Sequence, residues 1–199
     1  YCVIPDLRGR FRSRPIESLV KEAQELAAAG VKELIVVAQD ITRYGTDLYG
    51  ERALSRLLEQ LCAIDGIRWI RLHYLYPDEI DEKLIDEIAK QDKIVKYLDI
   101  PIQHINDRIL KAMRRRGTGG EIRALFAKLR SRIPGLVLRT SLIVGLPGET
   151  EEEFEQLCDF LREFQIERAG VFCYSPEEGS DAALMPDQVD EDTKTQRRE

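Results

Sequence analysis

The chain contains no run of about 18 apolar residues, so no segment of it reads as a membrane-spanning helix. It also lacks the charged start, apolar centre and small-residue cleavage site of a secretory signal. Its four cysteines are scattered through 199 residues, none at metal-ligand spacing from another, and they do not form a secreted disulfide framework. These absences point to a reducing, cytoplasmic setting without membrane partners. There is no excess of positive charge either. A formal charge of −6 argues against nucleic-acid binding by bulk electrostatics and leaves room only for local basic patches. No Ser-His-Asp arrangement and no nucleophile elbow is visible. Lys32, Lys93 and Lys96 fall at the starts of predicted strands rather than their ends, which disfavours Schiff-base chemistry. The chain opens on Tyr1 rather than Met, so upstream polypeptide is expected.

What is present is the composition of a globular protein, with 43% apolar and 33% charged residues in a length suited to one domain. From Pro15 onward, helical and extended patterns alternate. Strands are predicted at 34–38, 67–74, 95–102, 137–144 and 170–174. Helices are predicted from Pro15 to Gly30, around Leu54 to Leu61, and at 78–90, 106–115, 121–133 and 150–164. The segment GTGG (117–120) reads as a separator, and 186–199 reads as a peripheral helix or a frayed end. Thr150 and Glu153 have the spacing of a capping box. Five strands alternating with helices imply a parallel α/β sheet with right-handed crossovers. Five are too few to close an eight-stranded barrel, so an open sheet or partial barrel is expected, without a linker to a second domain.

Side chains alternate faces along a strand. In 137–144 this puts Leu138, Thr140, Leu142 and Val144 on one face, with Arg139, Ser141 and Ile143 on the other, running on to Gly145. In the third strand Tyr97, Asp99, Pro101 and Gln103 share a face, and in the first Ile35, Val37 and Gln39 do. Gln39, Asp40, Gln103, His104 and Glu149 all fall at the C-terminal ends of strands, where α/β folds place ligand sites. An internal ion pair between Asp99 and Arg139 is the purely structural alternative for those two residues. The stretch LIVGLPGET (142–150) runs a buried strand into a Gly-Pro-Gly turn, where Gly145 and Gly148 would let backbone approach a bound molecule. Cys62, Cys158 and Cys173 lie in apolar patterns and read as core, and His73 and His104 as hydrogen-bonded structural residues. Cys2 stands apart, in a loop-like opening before the first helix.

Several segments together resemble the radical S-adenosylmethionine methylthiotransferases, specifically the branch that modifies ribosomal protein S-twelve. They are YCVIPDLRGRFRSRPIE (1–17), AQDITRYGTDLYG (38–50), WIRLHYLYP (69–77), YLDIPIQHI (97–105), LKAMRRR (110–116), LRTSLIVGLPGETEEEF (138–154) and GVFCYSPEEGSDA (170–182). Gln39-Asp40, Leu75-Tyr76-Pro77 and Gln103-His104 differ from the tRNA-modifying sister branch, which remains the nearest alternative. A cofactor-free α/β binding module is the alternative of another class.

The resemblance implies a radical SAM type partial barrel in which three thiolates hold a [4Fe–4S] cluster that binds S-adenosylmethionine. Cleavage of that cofactor to a 5′-deoxyadenosyl radical would allow hydrogen abstraction from an Asp side chain of the ribosomal protein, which then receives a methylthio group. On this resemblance Cys2 is one cluster ligand of three, and the other two would precede Tyr1. Gln39 and Asp40 lie toward the methionine amine, Asp99 and Gln103 toward the ribose, and the turn Gly145, Pro147, Gly148 and Glu149 with Phe172 toward the adenine. Arg139 belongs to the same cofactor set. The resemblance also places the first barrel strand, an N-terminal domain with a second [4Fe–4S] cluster and a C-terminal nucleic-acid-type domain outside residues 1–199. This piece alone is therefore expected to hold no cluster and to be inactive. Arg8, Arg10, Arg12 and Arg14 alternate along the opening segment and read as a docking surface for the ribosomal protein or nearby ribosomal RNA, and Lys111 with Arg114, Arg115 and Arg116 forms a second basic cluster. An electron donor is a further implied partner.

Overall fold

The computed structural model describes residues 7–199. Helix α1 (Ile16–Ala28) starts just after Pro15 and turns Ile16 and Ala23 inward. Strand β1 (Glu33–Val36) is followed by the one-turn helix α2 (Thr46–Tyr49) and by α3 (Leu54–Cys62), which buries Leu54, Leu57, Leu58, Leu61 and Cys62 on one stripe. Strand β2 (Trp69–Leu72) is shorter than its apolar pattern predicts, because Tyr74 adopts a left-handed backbone with φ of 61° and leaves the ladder. The segment predicted as one helix over 78–90 is divided. A 3-10 turn spans Pro77–Glu79, and α4 (Glu82–Lys90) begins where the Asp81 carboxylate accepts from the Leu84 N–H at 2.9 Å.

Strand β3 (Ile94–Asp99) leads to α5 (Asp107–Ala112), capped by Asn106 and ended early by the left-handed Arg114. Helix α6 (Gly119–Arg132) takes in part of the GTGG segment. Its start is set by a capping box absent from the sequence reading: Glu121 N–H donates to Thr118 Oγ1 at 3.2 Å and Thr118 N–H to Glu121 Oε2 at 2.7 Å. Strand β4 (Val137–Val144) has the predicted bounds. Helix α7 (Glu151–Phe164) has the predicted capping box, with Thr150 as cap and Glu153 as its partner. Strand β5 (Arg168–Cys173), a 3-10 turn at Asp181–Leu184 and helix α8 (Glu191–Arg198) complete the chain.

The strands form a parallel sheet in the order β1-β2-β3-β4-β5. The order never reverses, which is the singly wound topology of a β/α barrel rather than that of a doubly wound sheet. The chain divides into two compact units, one comprising Phe11–Ile100 with Lys128–Leu138, the other containing Pro101–Ala127 with Arg139–Glu199. The core of the first is built from Leu58, Ile70, Leu72, Ile88 and Leu98, all fully buried. In the second, Phe126 and Phe160 meet edge-on at 5.3 Å, and Ile109, Met113, Leu146, Tyr174 and Ala182 form a further cluster.

Helix α8 corrects the expectation of a peripheral or frayed end. It has no apolar residue, yet Lys194 and Arg197 are buried within the second unit. The Lys194 ammonium donates to Glu191 at 2.6 Å and lies 5.4 Å from the centre of the Tyr174 ring, while its methylene stem covers Gly145. A β-carbon on Gly145 would stand 2.3 Å from Lys194 Cγ, and φ there is +74°. Gly145→Ala should therefore cost about 1–2 kcal/mol in backbone strain alone and also push α8 outward. Denaturant unfolding checks this, and a loss below about 0.5 kcal/mol, the size of an ordinary surface substitution, would refute the seating of α8 on Gly145.

Candidate functional site

In the first unit, β2 alternates Trp69, half exposed, with buried Ile70, then Arg71 with buried Leu72. The accessible face of β1 to β3 thus carries Ile35, Trp69, Arg71, Tyr97 and Asp99, continued by Val37 and His73 beyond the strand ends. Arg71 Nε donates to Glu33 at 2.7 Å, and its guanidinium lies 5.3 Å from the Tyr97 ring centre. Asp99 is only 1% exposed, and its carboxylate stands 3.6 Å from His73 Nδ1. Gln39 is exposed. Asp40 folds back on its own turn, where Oδ1 accepts from the Thr42 N–H at 2.9 Å and from the Thr42 hydroxyl. Burial pushes the Asp40 carboxyl above its ordinary range, and the Thr42 bonds pull it back. A cavity of about 390 Å³ lies between α1, β1 and α3, with Leu19, Ala23, Leu34 and Leu57 in its wall. Of the predicted cofactor residues it touches only Asp40, so volume alone does not locate the chemistry.

In the second unit, β4 buries Thr140, Leu142 and Val144 and presents Arg139, Ser141 and Ile143, the division predicted from alternation. Arg139 Nη1 donates to Ser141 Oγ at 3.2 Å. Ser141 pairs in register with Gly170, and Ile143 with the exposed Phe172. Gln103 joins them: its N–H donates to the Ser141 carbonyl at 2.9 Å, its carbonyl accepts from the Ile143 N–H at 2.9 Å, and its φ is 68°. Within this unit, therefore, Gln103, Arg139 and Phe172 are brought together. A β-carbon on Gly170 would make ordinary contacts with the Phe172 ring at 3.4 Å and the Arg139 guanidinium at 3.7 Å, so this glycine lies between an aromatic ring and a cation.

The Gly-Pro-Gly turn is held by bonds of its own. Its donors are spent internally: Gly145 N–H on Glu149 Oε2 at 2.6 Å, Leu146 N–H on the same oxygen at 3.2 Å, and Gly148 N–H on the Asp187 carbonyl at 2.8 Å. The Glu149 side chain has no exposure and also receives Arg197 Nη1 at 3.1 Å. The space beside Gly145 holds Lys194, and the Gly148 carbonyl accepts from Arg108 at 2.6 Å. Pro147 is buried. Gly145, Gly148 and Glu149 thus brace the end of β4.

Cys2 lies outside the described residues. Cys62 is buried, and burial pushes its thiol up to about 11; burial raises Cys158 as well. Cys173 Sγ donates to the Lys194 carbonyl at 3.4 Å. Among the described residues no group of three His, Cys, Asp or Glu is placed to hold a metal. Nor, among them, is any helix long and apolar enough to cross a membrane. In the opening segment Arg8, Arg10 and Arg12 are exposed, while Arg14 is engaged by Glu22 at 2.5 Å and Ser18 at 3.0 Å. Arg71 and Tyr97 were not singled out from sequence as site residues, although alternation applied to β2 would have placed Arg71 on the face of His73. Lys194 and Arg197 carry no local signal.

Over 197 residues the chain is 58% identical to "Ribosomal protein uS12 methylthiotransferase RimO" of Geotalea uraniireducens and to that of Geobacter sulfurreducens, matching 99% of this chain and 44% of each relative. The Clostridium tetani protein of the same name is 53% identical over 199 residues, 100% of this chain and 45% of its own length. The chain therefore spans less than half the length of these curated relatives. Among solved structures, the Escherichia coli radical SAM coproporphyrinogen III oxidase HemN has a TM-score of 0.63 at 20% identity, covering 94% of this chain and 45% of its own. The radical S-adenosylmethionine methyltransferase TsrM of Kitasatospora setae has a TM-score of 0.63 at 19% identity, covering 80% and 31%. At such identities the likeness is one of fold. The model of the Radical SAM superfamily matches residues 1–161, and with the singly wound parallel sheet this settles the lineage: the chain belongs to the radical SAM superfamily.

Proposed function

We propose that the intact protein is a cytoplasmic radical SAM methylthiotransferase that adds a methylthio group to the β-carbon of an aspartate in ribosomal protein uS12. The observation that carries this reading is identity of 53–58% along essentially the whole chain to proteins of that name. S-adenosylmethionine with a [4Fe–4S] cluster supplies, when bound, one-electron chemistry able to break an unactivated C–H bond. Cys2 is the chain's proposed cluster ligand, and a second cluster belongs to polypeptide outside residues 1–199. Gln39, Asp40 and Asp99 in one unit, and Gln103, Arg139 and Phe172 in the other, are the proposed cofactor contacts. Phe172 offers an apolar ring face, and Arg139, steadied by Ser141, offers a fixed cation. Gly145, Pro147, Gly148 and Glu149, which hold the end of β4 in place, are the proposed contacts on the adenine side. Arg8, Arg10, Arg12 and Arg14 are the proposed docking surface for the ribosomal protein or adjoining ribosomal RNA, with an electron donor as a further partner.

The test uses the intact protein, reconstituted anaerobically with iron and sulfide and reduced, and offers it a uS12 loop peptide or an adenosine-containing RNA stem-loop. Mass spectrometry should find a methylthio group on the peptide aspartate and none on the RNA; modification of the RNA alone would overturn the reading. In the same assay Arg10→Glu with Arg12→Glu should weaken peptide capture, and unchanged capture would remove the docking role.

A further inference from the structure

We propose, resting on the substrate reading above, that His73 determines specificity: its Nε2 edge receives the carboxylate of the aspartate to be modified. His73 follows β2 on its accessible side, its side chain 28% exposed, at the C-terminal end of the strand. It is held from three directions. Asp99 stands 3.6 Å from Nδ1, and the rings of Tyr74 and Tyr97 lie with centroids 6.2 and 6.3 Å from the imidazole. With Nδ1 turned to a buried carboxylate, Nε2 is the atom left for a partner on the far edge of the ring.

The backbone beside His73 is held in a strained conformation. Tyr74, a bulky residue, sits at φ of 61°, a conformation that costs about 1–2 kcal/mol for any residue with a β-carbon. The left-handed step is pinned on both sides. Ile41 N–H donates to the Tyr74 carbonyl at 3.2 Å, and Leu75 N–H donates to the Asp99 carbonyl at 3.0 Å while the Leu75 side chain is fully buried. The strain thus sets the Tyr74 ring against His73 at the mouth of the sheet, where strained residues gather at functional sites.

Arg71, the cation on this face, is already committed to Glu33 and to the Tyr97 ring. Ile35, Val37 and Trp69 are apolar and exposed. A carboxylate arriving on such a surface is held by a charge-assisted hydrogen bond, in which its own charge strengthens the bond from an N–H donor. The Nε2 edge of His73, turned away from Asp99, supplies that donor and fixes its position.

The test is peptide binding to the intact protein by fluorescence polarisation, using a uS12 loop peptide with Asp at the modified position and its Asn counterpart. The parent should prefer the Asp peptide. In His73→Asn, whose amide reaches only where Nδ1 was, that preference should fall roughly 10- to 100-fold, the worth of a charge-assisted hydrogen bond. His73→Gln places an amide nitrogen near the Nε2 position and should keep part of it. A structural role alone would weaken both peptides alike, and partial unfolding scales both affinities equally, so the ratio isolates the contact. An unchanged ratio in both variants, with the parent still modifying the Asp peptide, would overturn the role of His73. A parent protein that modifies neither peptide would instead overturn the proposed function on which this inference stands.

Discussion

Glu149→Ala should destabilise the unit that contains it by about 3–5 kcal/mol, the cost of breaking a buried ion pair and stranding its partner. The carboxylate is fully enclosed and serves three donors, the N–H groups of Gly145 and Leu146 and the Arg197 guanidinium. Alanine leaves two buried amides unpaired and leaves Arg197, only 8% exposed, with the Glu149 carbonyl at 3.2 Å and the exposed Glu151 at 3.0 Å. Neither replaces a buried countercharge. Glu149→Gln keeps an oxygen for the amides and should cost less, which separates the charge from the capping. Denaturant midpoints at constant slope would measure both, and a loss under about 1 kcal/mol for alanine, within the range of an ordinary mutation, would mean that the turn has another support.

Acidification from pH 7 to 4 should remove about 3 kcal/mol of stability through His104 alone. This residue is fully buried after β3, where its Nδ1 accepts from the Asn106 N–H at 3.0 Å. Burial holds the imidazole neutral and pushes its pKa from 6.5 down to about 4, with Arg108 and Arg197 adding to the effect and Glu153 opposing it. Below pH 6.5 the unfolded chain takes up a proton that the folded chain refuses until about pH 4. Stability is therefore complete above 6.5 and is lost as pH falls toward 4. Glu149 acts in the opposite direction: burial raises its carboxyl, so its own contribution is fullest below 4.5 and is lost as pH rises through the raised value. Glu153, lowered first by Arg108, gives stability above 4.5 that is lost only in stronger acid. Comparison with His104→Asn, whose side-chain oxygen can still accept from Asn106, isolates the histidine. If the variant lost stability between pH 7 and 4 as steeply as the parent, the buried neutral imidazole would not be the cause.

The parts of the fold that were legible in the sequence are those fixed by neighbours within a few residues. Strand β4 shows strict alternation over eight residues, and its bounds and faces are as expected. The Thr150–Glu153 cap of α7 was equally plain, whereas the matching Thr118–Glu121 cap of α6 was hidden by glycines that read as a separator. The gathering of Gln103, Arg139 and Phe172 follows from alternation plus a parallel register. The packing partners of the Gly-Pro-Gly turn were not legible because they come from far along the chain. Nothing near Gly145 announces Lys194, and nothing in EDTKTQRR announces burial. Likewise the left-handed Tyr74 and Gln103 follow from tertiary bonds, since neither residue type favours that backbone.

The way α8 is seated has a thermal consequence. Its inner face is made of charged heads and methylene stems, so lifting it away would wet very little oily surface. Such a release would carry a heat-capacity increment too small for a calorimeter to separate and a denaturant dependence too shallow to appear as its own transition. Amide exchange over residues 191–198 would register it directly. An opening of the helix ahead of global unfolding would therefore show in exchange while a melting curve still reports one cooperative step.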